Sequence, residues 1–373
     1  MFIDALGWEV IRDRGFLEDI FPYRNPVEMQ FGYSCTAIPT ILTGQPPTVH
    51  KHLSFYYYDP IHSPFKMFKY LRFLPPKIFD RWRVRHILSK IIAKYNGYTG
   101  YFELYSMPYH KIQYFDYIEK RDLFIPNGLT PVKNLADYLV EKKIPHHISN
   151  WRLSEENNID ALLNEIKKED IRFAFLYTAA MDSLLHRVTK DGKEILPKLE
   201  WYADKIKKTI SEVKKHYQDF DFVIFSDHGM TTLTEAVDAQ KILENNAYQL
   251  GKDYLTVYDS TMIHLWIINP AAKLELLSLI KEIPHSHLLS DEELEKYHVL
   301  FSDKMYGDFL VLMDPGYQIA PSDMGLKALP GMHGFAPEHP DSDASFLSMK
   351  PIENPPKWVG DYFNVMTKRK DKE

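Results

Sequence analysis

Three short apolar runs in this chain each lead into a carboxylate: Phe2-Ile-Asp4, Phe175-Leu-Tyr-Thr-Ala-Ala-Met-Asp182 and Val223-Ile-Phe-Ser-Asp227. Three carboxylates gathered at one place repel one another unless cations neutralise them, so the pattern points to metal. Histidines stand beside two of them. Asp182 and His186 are spaced i, i+4, which on a helix puts both side chains on one face, able to grip one ion. Asp227 and His228 are adjacent and reach one ion together only from a turn, which Gly229 permits. A further histidine, His333, lies in Gly331-Met-His-Gly-Phe335, between two glycines. His50, His52 and His339 lie near these motifs and are read as ordinary core or loop residues. The last chemical element is Ser34-Cys-Thr-Ala-Ile-Pro-Thr-Ile-Leu-Thr-Gly44. A serine before a short apolar helix that stops at glycine is expected as its N-cap, where the helix dipole and free N–H groups favour an alkoxide and a phosphate.

Such residues need a scaffold that delivers strand ends to one edge. Short apolar runs alternate with helical patterns, which predicts an α/β architecture with a largely parallel sheet. The expected strands are Met1–Asp4, Arg172–Tyr177 and Asp221–Ser226, with further strands over Leu255–Ile268 and Asp308–Met313. Helices are expected over Pro131–Lys142 and Pro197–Tyr217, the second with Leu199, Tyr202, Ile206, Ile210 and Val213 on one face. In open α/β sheets, ligands bind beyond the carboxyl ends of the strands, where the three carboxylates fall.

Composition bounds the answer. The chain has 373 residues, 45% hydrophobic and 26% charged, which suits a globular protein with a sizeable core. A net charge of −6 argues against a nucleic-acid binder. The single cysteine, Cys35, forms no internal disulfide. No signal-peptide pattern follows Met1 and no apolar run is long enough to span a bilayer, so a cytoplasmic or membrane-peripheral location is expected.

One segment departs from the rest. Pro64–Tyr95 carries Lys66, Lys69, Arg72, Lys77, Arg81, Arg83, Arg85, Lys90 and Lys94 against one acid, Asp80. Aromatics are interleaved, and Pro75 and Pro76 predict two short helices rather than one. Basic residues and interfacial aromatics suit an anionic membrane surface or a lipid-linked substrate. The competing reading is a cap whose aromatics face the core.

Taken in order, the first Asp, a Ser ten residues before the glycine of Thr-Gly, Asp-x-x-x-His, Ser-Asp-His-Gly-Met and Gly-x-His-Gly-Phe resemble the alkaline phosphatase superfamily. The resemblance is to its type I phosphodiesterase/nucleotide pyrophosphatase branch, and Pro47-Thr-Val-His50 and Tyr58-Asp-Pro60 match it too. It implies an alkaline-phosphatase-like α/β fold, with a mostly parallel central sheet flanked by helices and cap insertions. Residues 1–373 are then one catalytic domain, with 61–125 a basic and aromatic insertion and 236–325 a second cap. It also implies that Asp182, His186 and His333 bind one metal, and that Asp4, Asp227, His228 and the Ser34 oxygen bind the other. Two divalent ions are expected, zinc by family habit, with manganese or iron as alternatives. Ser34 is then the nucleophile of a phosphoric ester hydrolase that works through a phosphoseryl intermediate.

The chain also departs from that family. Cys35 stands where a base-stacking phenylalanine follows the nucleophile, Phe55 where an asparagine binds a phosphate oxygen, and Lys51 replaces a glycine. Cys35, Phe55 and Tyr58 are therefore the candidates for a divergent substrate pocket, which weakens the expectation of a nucleotide. A sulfatase is excluded, because the segment after Cys35 lacks that class's arginine. The alternatives are a phosphotransferase moving a phosphoethanolamine- or phosphoglycerol-type group to or from a lipid or glycan, and a metal-bound binding protein without activity.

Overall fold

The computed structural model describes residues 1–73 and 79–368. Its centre is a five-stranded sheet of β1 (Phe2–Ile3), β2 (Tyr23–Val27), β3 (Tyr177–Thr178), β4 (Val223–Phe225) and β5 (Ala344–Ser348), in the order β2-β5-β4-β1-β3. β1 runs parallel to β3 and β4, while β5 is antiparallel to β4 and β2. The parallel trio matters for function, because its three chains leave the sheet at the same edge. Asp4 follows β1 directly, and Asp227 lies two residues beyond β4.

Strand alternation sorts the core into two layers. Phe2, Phe225 and Phe346 face one way, packed with Ile38 and Ile41 of α1 (Ser34–Thr43) and with Tyr362 of the C-terminal helix Asp361–Lys368. Ile3, Ile224 and Leu347 face the other way, against Leu199, Tyr202, Ile206 and Ile210. Each such side chain contributes about 1.5–3 kcal/mol by leaving water, so both faces are firmly covered.

The long helix of the basic segment is α2 (Trp82–Asn96), and the helix carrying Asp182 is α3 (Ala180–Val188). α4 spans Ile195–His216 and α1 ends on Gly44 in a left-handed conformation. A separate antiparallel sheet packs Tyr254–Tyr258, Met262–Ile267, Phe309–Met313 and Ser286–Leu288 in that order.

Several boundaries differ from the sequence expectation. Leu255–Ile268 is a hairpin rather than one strand, because Asp259, Ser260 and Thr261 turn the chain between its halves. Arg172–Tyr177 divides into Phe173–Phe175, paired with His146–Ile148, and β3, paired with β1. The helix expected over Pro131–Lys142 starts at Leu135, where the Asn134 side chain accepts a hydrogen bond from the Asp137 N–H. In the basic segment, Lys66–Phe73 is a 3-10 helix and α2 follows, while Pro75 and Pro76 lie outside the described residues. Among the described residues, no helix is long and apolar enough to cross a membrane.

Candidate active site

The edge shared by β1, β3 and β4 brings Asp4, Asp182, His186, Asp227, His228 and His333 together. Asp4 and Asp227 are almost fully buried, at 3% and 0% exposure. Their outer oxygens are held by short bonds: Tyr177 donates to Asp4 Oδ2 at 2.6 Å, and the Ala5 N–H donates to Asp227 Oδ1 at 3.0 Å. Ala5 adopts φ 59, an unusual left-handed conformation for alanine, and that turn delivers its N–H to Asp227.

The histidines are set by their second nitrogens. His228 Nδ1–H donates to Gly229 O at 2.8 Å, and His186 Nδ1–H donates to Gly331 O at 2.9 Å. In the neutral form that binds a metal, each ring would aim its Nε2 lone pair inward. His228 Nε2 then faces Asp227 Oδ2 at 3.3 Å and Asp4 Oδ1 at 3.7 Å, and His186 Nε2 faces Asp182 Oδ1 at 3.3 Å. The His228 and His333 rings stack at 3.7 Å, an arrangement that disfavours two imidazolium charges. Gly229 is needed here for close approach rather than for a special turn, since a Cβ would lie 2.2 Å from Asp341 O.

This donor set fits cations. Asp4 Oδ1, Asp182 Oδ1, Asp227 Oδ2 and His333 Nδ1 are buried without a hydrogen-bond partner among the described residues. Burying such atoms unpartnered costs several kcal/mol each, and a divalent ion offsets that cost. Without one, burial and then the charges of Asp227 and Asp182 push the Asp4 carboxyl well above the usual range. Burial pushes Asp227 up to about 7 and holds His333 well below an ordinary histidine. For His186, burial opposes the charge but facing Asp182 outweighs it and raises the ring to about 8. Burial would raise Asp182 as well, yet His186 holds it below the usual carboxylate range.

The grouping differs in one respect from two separate sets. Asp4, Asp227 and His228 cluster as one triad, and Asp182, His228 and His333 as another, so His228 belongs to both. His186 joins through Asp182 instead.

Ser34 opens α1 as its first helical residue, with Tyr33 rather than Ser34 as the cap. Its Oγ lies 3.0 Å from His228 Nε2. Thr36, the other hydroxyl of the loop, is fully buried and donates to Leu53 O at 2.7 Å. Ser34, Asp4, Asp182, His186 and His333 line a pocket of about 390 Å³, and Cys35, Phe55 and Trp151 line it too. Tyr58 is not among its lining residues and packs 6.0 Å from Trp266. His50 is a core residue bonded to Thr40 at 2.9 Å. Sequence reasoning missed Tyr177, Tyr101, Tyr105, Glu119 and Trp151; only their aromatic and acidic types hinted at a role, since no spacing links them.

Unsatisfied oxygens that call for cations, set beside a serine hydroxyl at a helix start, suit displacement at phosphorus, and the protein is a phosphoric ester hydrolase. The chain belongs to the type I phosphodiesterase / nucleotide pyrophosphatase family of the alkaline phosphatase superfamily, whose profile matches residues 32–336. Asp4 precedes that match and rests on geometry. No curated protein matches the sequence. Among solved structures, human ectonucleotide pyrophosphatase/phosphodiesterase 5 aligns with TM-score 0.71 at 13% identity, covering 99% of this chain and 93% of that one. The murine protein aligns with TM-score 0.68 at 14% identity, covering 99% and 94%. An inactive murine variant in complex with AMP gives 0.67 at 14% identity, covering 98% and 93%. At such identity the likeness establishes the shared fold.

Proposed function

We propose that the protein hydrolyses a phosphate ester through a phosphoseryl intermediate on Ser34, at a site that holds two divalent cations. The observation that supports this most is Ser34 Oγ, 3.0 Å from His228 Nε2 and beside carboxylate oxygens that no protein group satisfies. Asp182, His186 and His333 would hold one ion, and Asp4, Asp227 and His228 the other, zinc by the mix of nitrogen and carboxylate donors. When bound, such ions neutralise phosphate charge and lower the pKa of coordinated hydroxyl groups. Ser34 gives its proton to solvent and attacks phosphorus, a P–O bond forms to Oγ, and the leaving oxygen departs with its electron pair and takes a proton from water to become the alcohol. The positive end of α1 favours the anionic phosphate there. Water then attacks the phosphoseryl group and returns Oγ to Ser34. We read the chain as one catalytic domain with insertions at 61–125 and 236–325.

Ser34→Ala tests the reading on bis(p-nitrophenyl) phosphate with zinc. Turnover should fall on the order of 10² or more, and acid-quenched enzyme should lose its phosphoserine by mass spectrometry. Thr36→Ala should keep most activity. Near-normal turnover in Ser34→Ala would remove the serine from the mechanism.

A second element of the proposal concerns α2. Ile87, Ile91 and Tyr95 recur at helical spacing and are 58%, 58% and 89% exposed, with Arg83, Lys90 and Lys94 exposed alongside. An apolar stripe flanked by cations matches an anionic bilayer surface, and would bring a lipid-linked ester to the pocket. Arg85 takes no part, being buried and paired with Asp80 at 2.7 Å. Sedimentation with phosphatidylserine vesicles, but not with phosphatidylcholine vesicles, is the expected result at low salt. Equal sedimentation with both would leave α2 as a solvated cap.

A further inference from the structure

The hairpin of the second sheet turns at Asp259-Ser260-Thr261, and the turn lies against the site rather than away from it. It is pinned from its own sheet: the Met313 N–H donates to Thr261 O at 2.9 Å, the Ile319 N–H to Ser260 O at 2.8 Å, and the Asp259 N–H to Met262 O at 2.8 Å. From this fixed point the fully buried Thr261 side chain reaches two segments that the chemistry needs. Its Oγ1 lies 2.8 Å from Gly334 O, next to His333, and 2.9 Å from the hydroxyl of Tyr33, next to Ser34. The Thr261 N–H donates to the same Tyr33 oxygen at 3.0 Å.

Donors and acceptors fix the direction of every bond. A carbonyl only accepts, so the Thr261 hydroxyl donates to Gly334 O. Its one proton is then engaged, so the Tyr33 O–H donates to Thr261 Oγ1 while the Tyr33 oxygen accepts from the Thr261 N–H. A fully satisfied network of this kind rigidifies the segments it joins. Gly334 permits the approach, because at its φ of +89 a Cβ would lie 2.6 Å from the Tyr33 ring and 2.9 Å from Thr261 Oγ1. The Tyr33 ring also meets the His333 ring edge-on, with 5.8 Å between centres. Tyr33 is the cap of α1, and its carbonyl accepts from the Thr36 and Ala37 N–H groups at 2.7 and 2.9 Å. Where Tyr33 is held, Ser34 follows one residue on.

Resting on the Ser34 reading above, we propose that Tyr33 and Thr261 are positioning residues that align Ser34 Oγ with the His333 side of the site, with the hairpin turn as the fixed point. Neither touches phosphorus, and each acts through its neighbour in the chain or across the hydrogen bond. The need for such a link follows from the topology. Ser34 sits at a helix start and His333 on a loop, and neither belongs to the central sheet, whose edge places Asp4 and Asp227. A misplacement of roughly 1 Å costs on the order of 10² in rate, and the two hydroxyls guard against it. The second sheet thus serves the reaction although the hairpin turn adds no donor to either cation group.

The test uses zinc-loaded protein and bis(p-nitrophenyl) phosphate. Thr261→Val keeps the shape and removes both side-chain bonds, so kcat should fall by about tenfold or more, with KM little changed and zinc content unaltered. The pre-steady-state release of p-nitrophenol, which reports attack by Ser34, should slow by the same factor. Thr261→Ser keeps the hydroxyl and loses the methyl, and it should restore most of kcat whatever its melting temperature, a split that a packing role would not give. Tyr33→Phe should be impaired as Thr261→Val is, and the double variant should fall no further, since the same link is broken in each. Crystals of Thr261→Val should show Ser34 Oγ displaced from its 3.0 Å separation from His228 Nε2. An unmoved Ser34 with an unchanged pre-steady-state rate, or a Thr261→Ser as impaired as Thr261→Val, would overturn the proposal. A displaced Ser34 in Thr261→Val, with no phosphoserine formed by the wild type, would instead support the alignment and sink the Ser34 mechanism.

Discussion

The two ends of one pocket are built by opposite means. At the Ser34 end, buried oxygens and nitrogens outnumber their partners, and short bonds from Tyr177, Ala5, Gly229 and Gly331 aim them inward. At the Glu119 end, aromatic rings support one another and a single carboxylate is left over. The first end is assembled largely from segments that follow the parallel strands β1, β3 and β4 of the mixed sheet, so its geometry follows from the fold. The second hangs from the region between Phe55 and Trp151, outside the central sheet. The cation-facing residues are thus anchored in the scaffold, while the aromatic wall lies where sequence can drift without disturbing them.

Breaking the first end should cost the most. His228 would hold one ion and lies within reach of the donors around the other, so His228→Ala should empty the first site, disturb the second and reduce kcat on the order of 10³ or more on every ester. A substitution in the aromatic wall should instead change the order of substrates. If His228→Ala altered substrate order while sparing kcat, the division between the two ends would be wrong.

A smaller effect is expected one bond away. Tyr177→Phe removes the hydroxyl that donates to Asp4 Oδ2 at 2.6 Å and keeps the ring between Phe2 and Phe124. Zinc affinity, measured by competition with a chelator, should fall by about tenfold, with kcat falling more than KM changes. Unaltered zinc affinity would reduce Tyr177 to a packing residue.

The smallest effect sharpens the second end, and it concerns stability. Folded Glu119 keeps its proton to about pH 8 because it is buried, whereas an unfolded glutamate ionises near 4.5. The folded state binds more protons between those values, so the wild type loses stability as pH rises through that window. Glu119→Gln escapes this loss. Its melting temperature should match the wild type near pH 5 and exceed it by roughly a few degrees at pH 8.5. A gap independent of pH would mean that the carboxylate is already paired.

The same contrast explains what the sequence disclosed. Asp4, Asp182, His186, Asp227 and His228 stand out because each follows a strand or sits at helical spacing and strands converge at one edge, whereas His333 is legible only from the glycines around it. The pocket wall had no such signal, since Phe55, Tyr101, Tyr105, Glu119 and Trp151 are far apart in sequence and meet only through tertiary packing. Ala5 was silent as well, because nothing in its type announces a left-handed conformation. Ser34 was read as a cap and is the first helical residue, a shift of one position that caps commonly show. The hairpin at Asp259 could have been read from its Asp-Ser-Thr turn, but the apolar residues on either side masked it.

The central claim is that buried, unpartnered oxygens at the sheet edge exist to hold two cations. Crystals soaked in zinc and measured at the zinc absorption edge test it most directly. The account predicts two anomalous peaks about 4 Å apart. One should lie within about 2.0–2.2 Å of Asp4, Asp227 and His228 donors, and the other equally close to donors of Asp182, His186 and His333. A single peak, or none, at saturating zinc would contradict it.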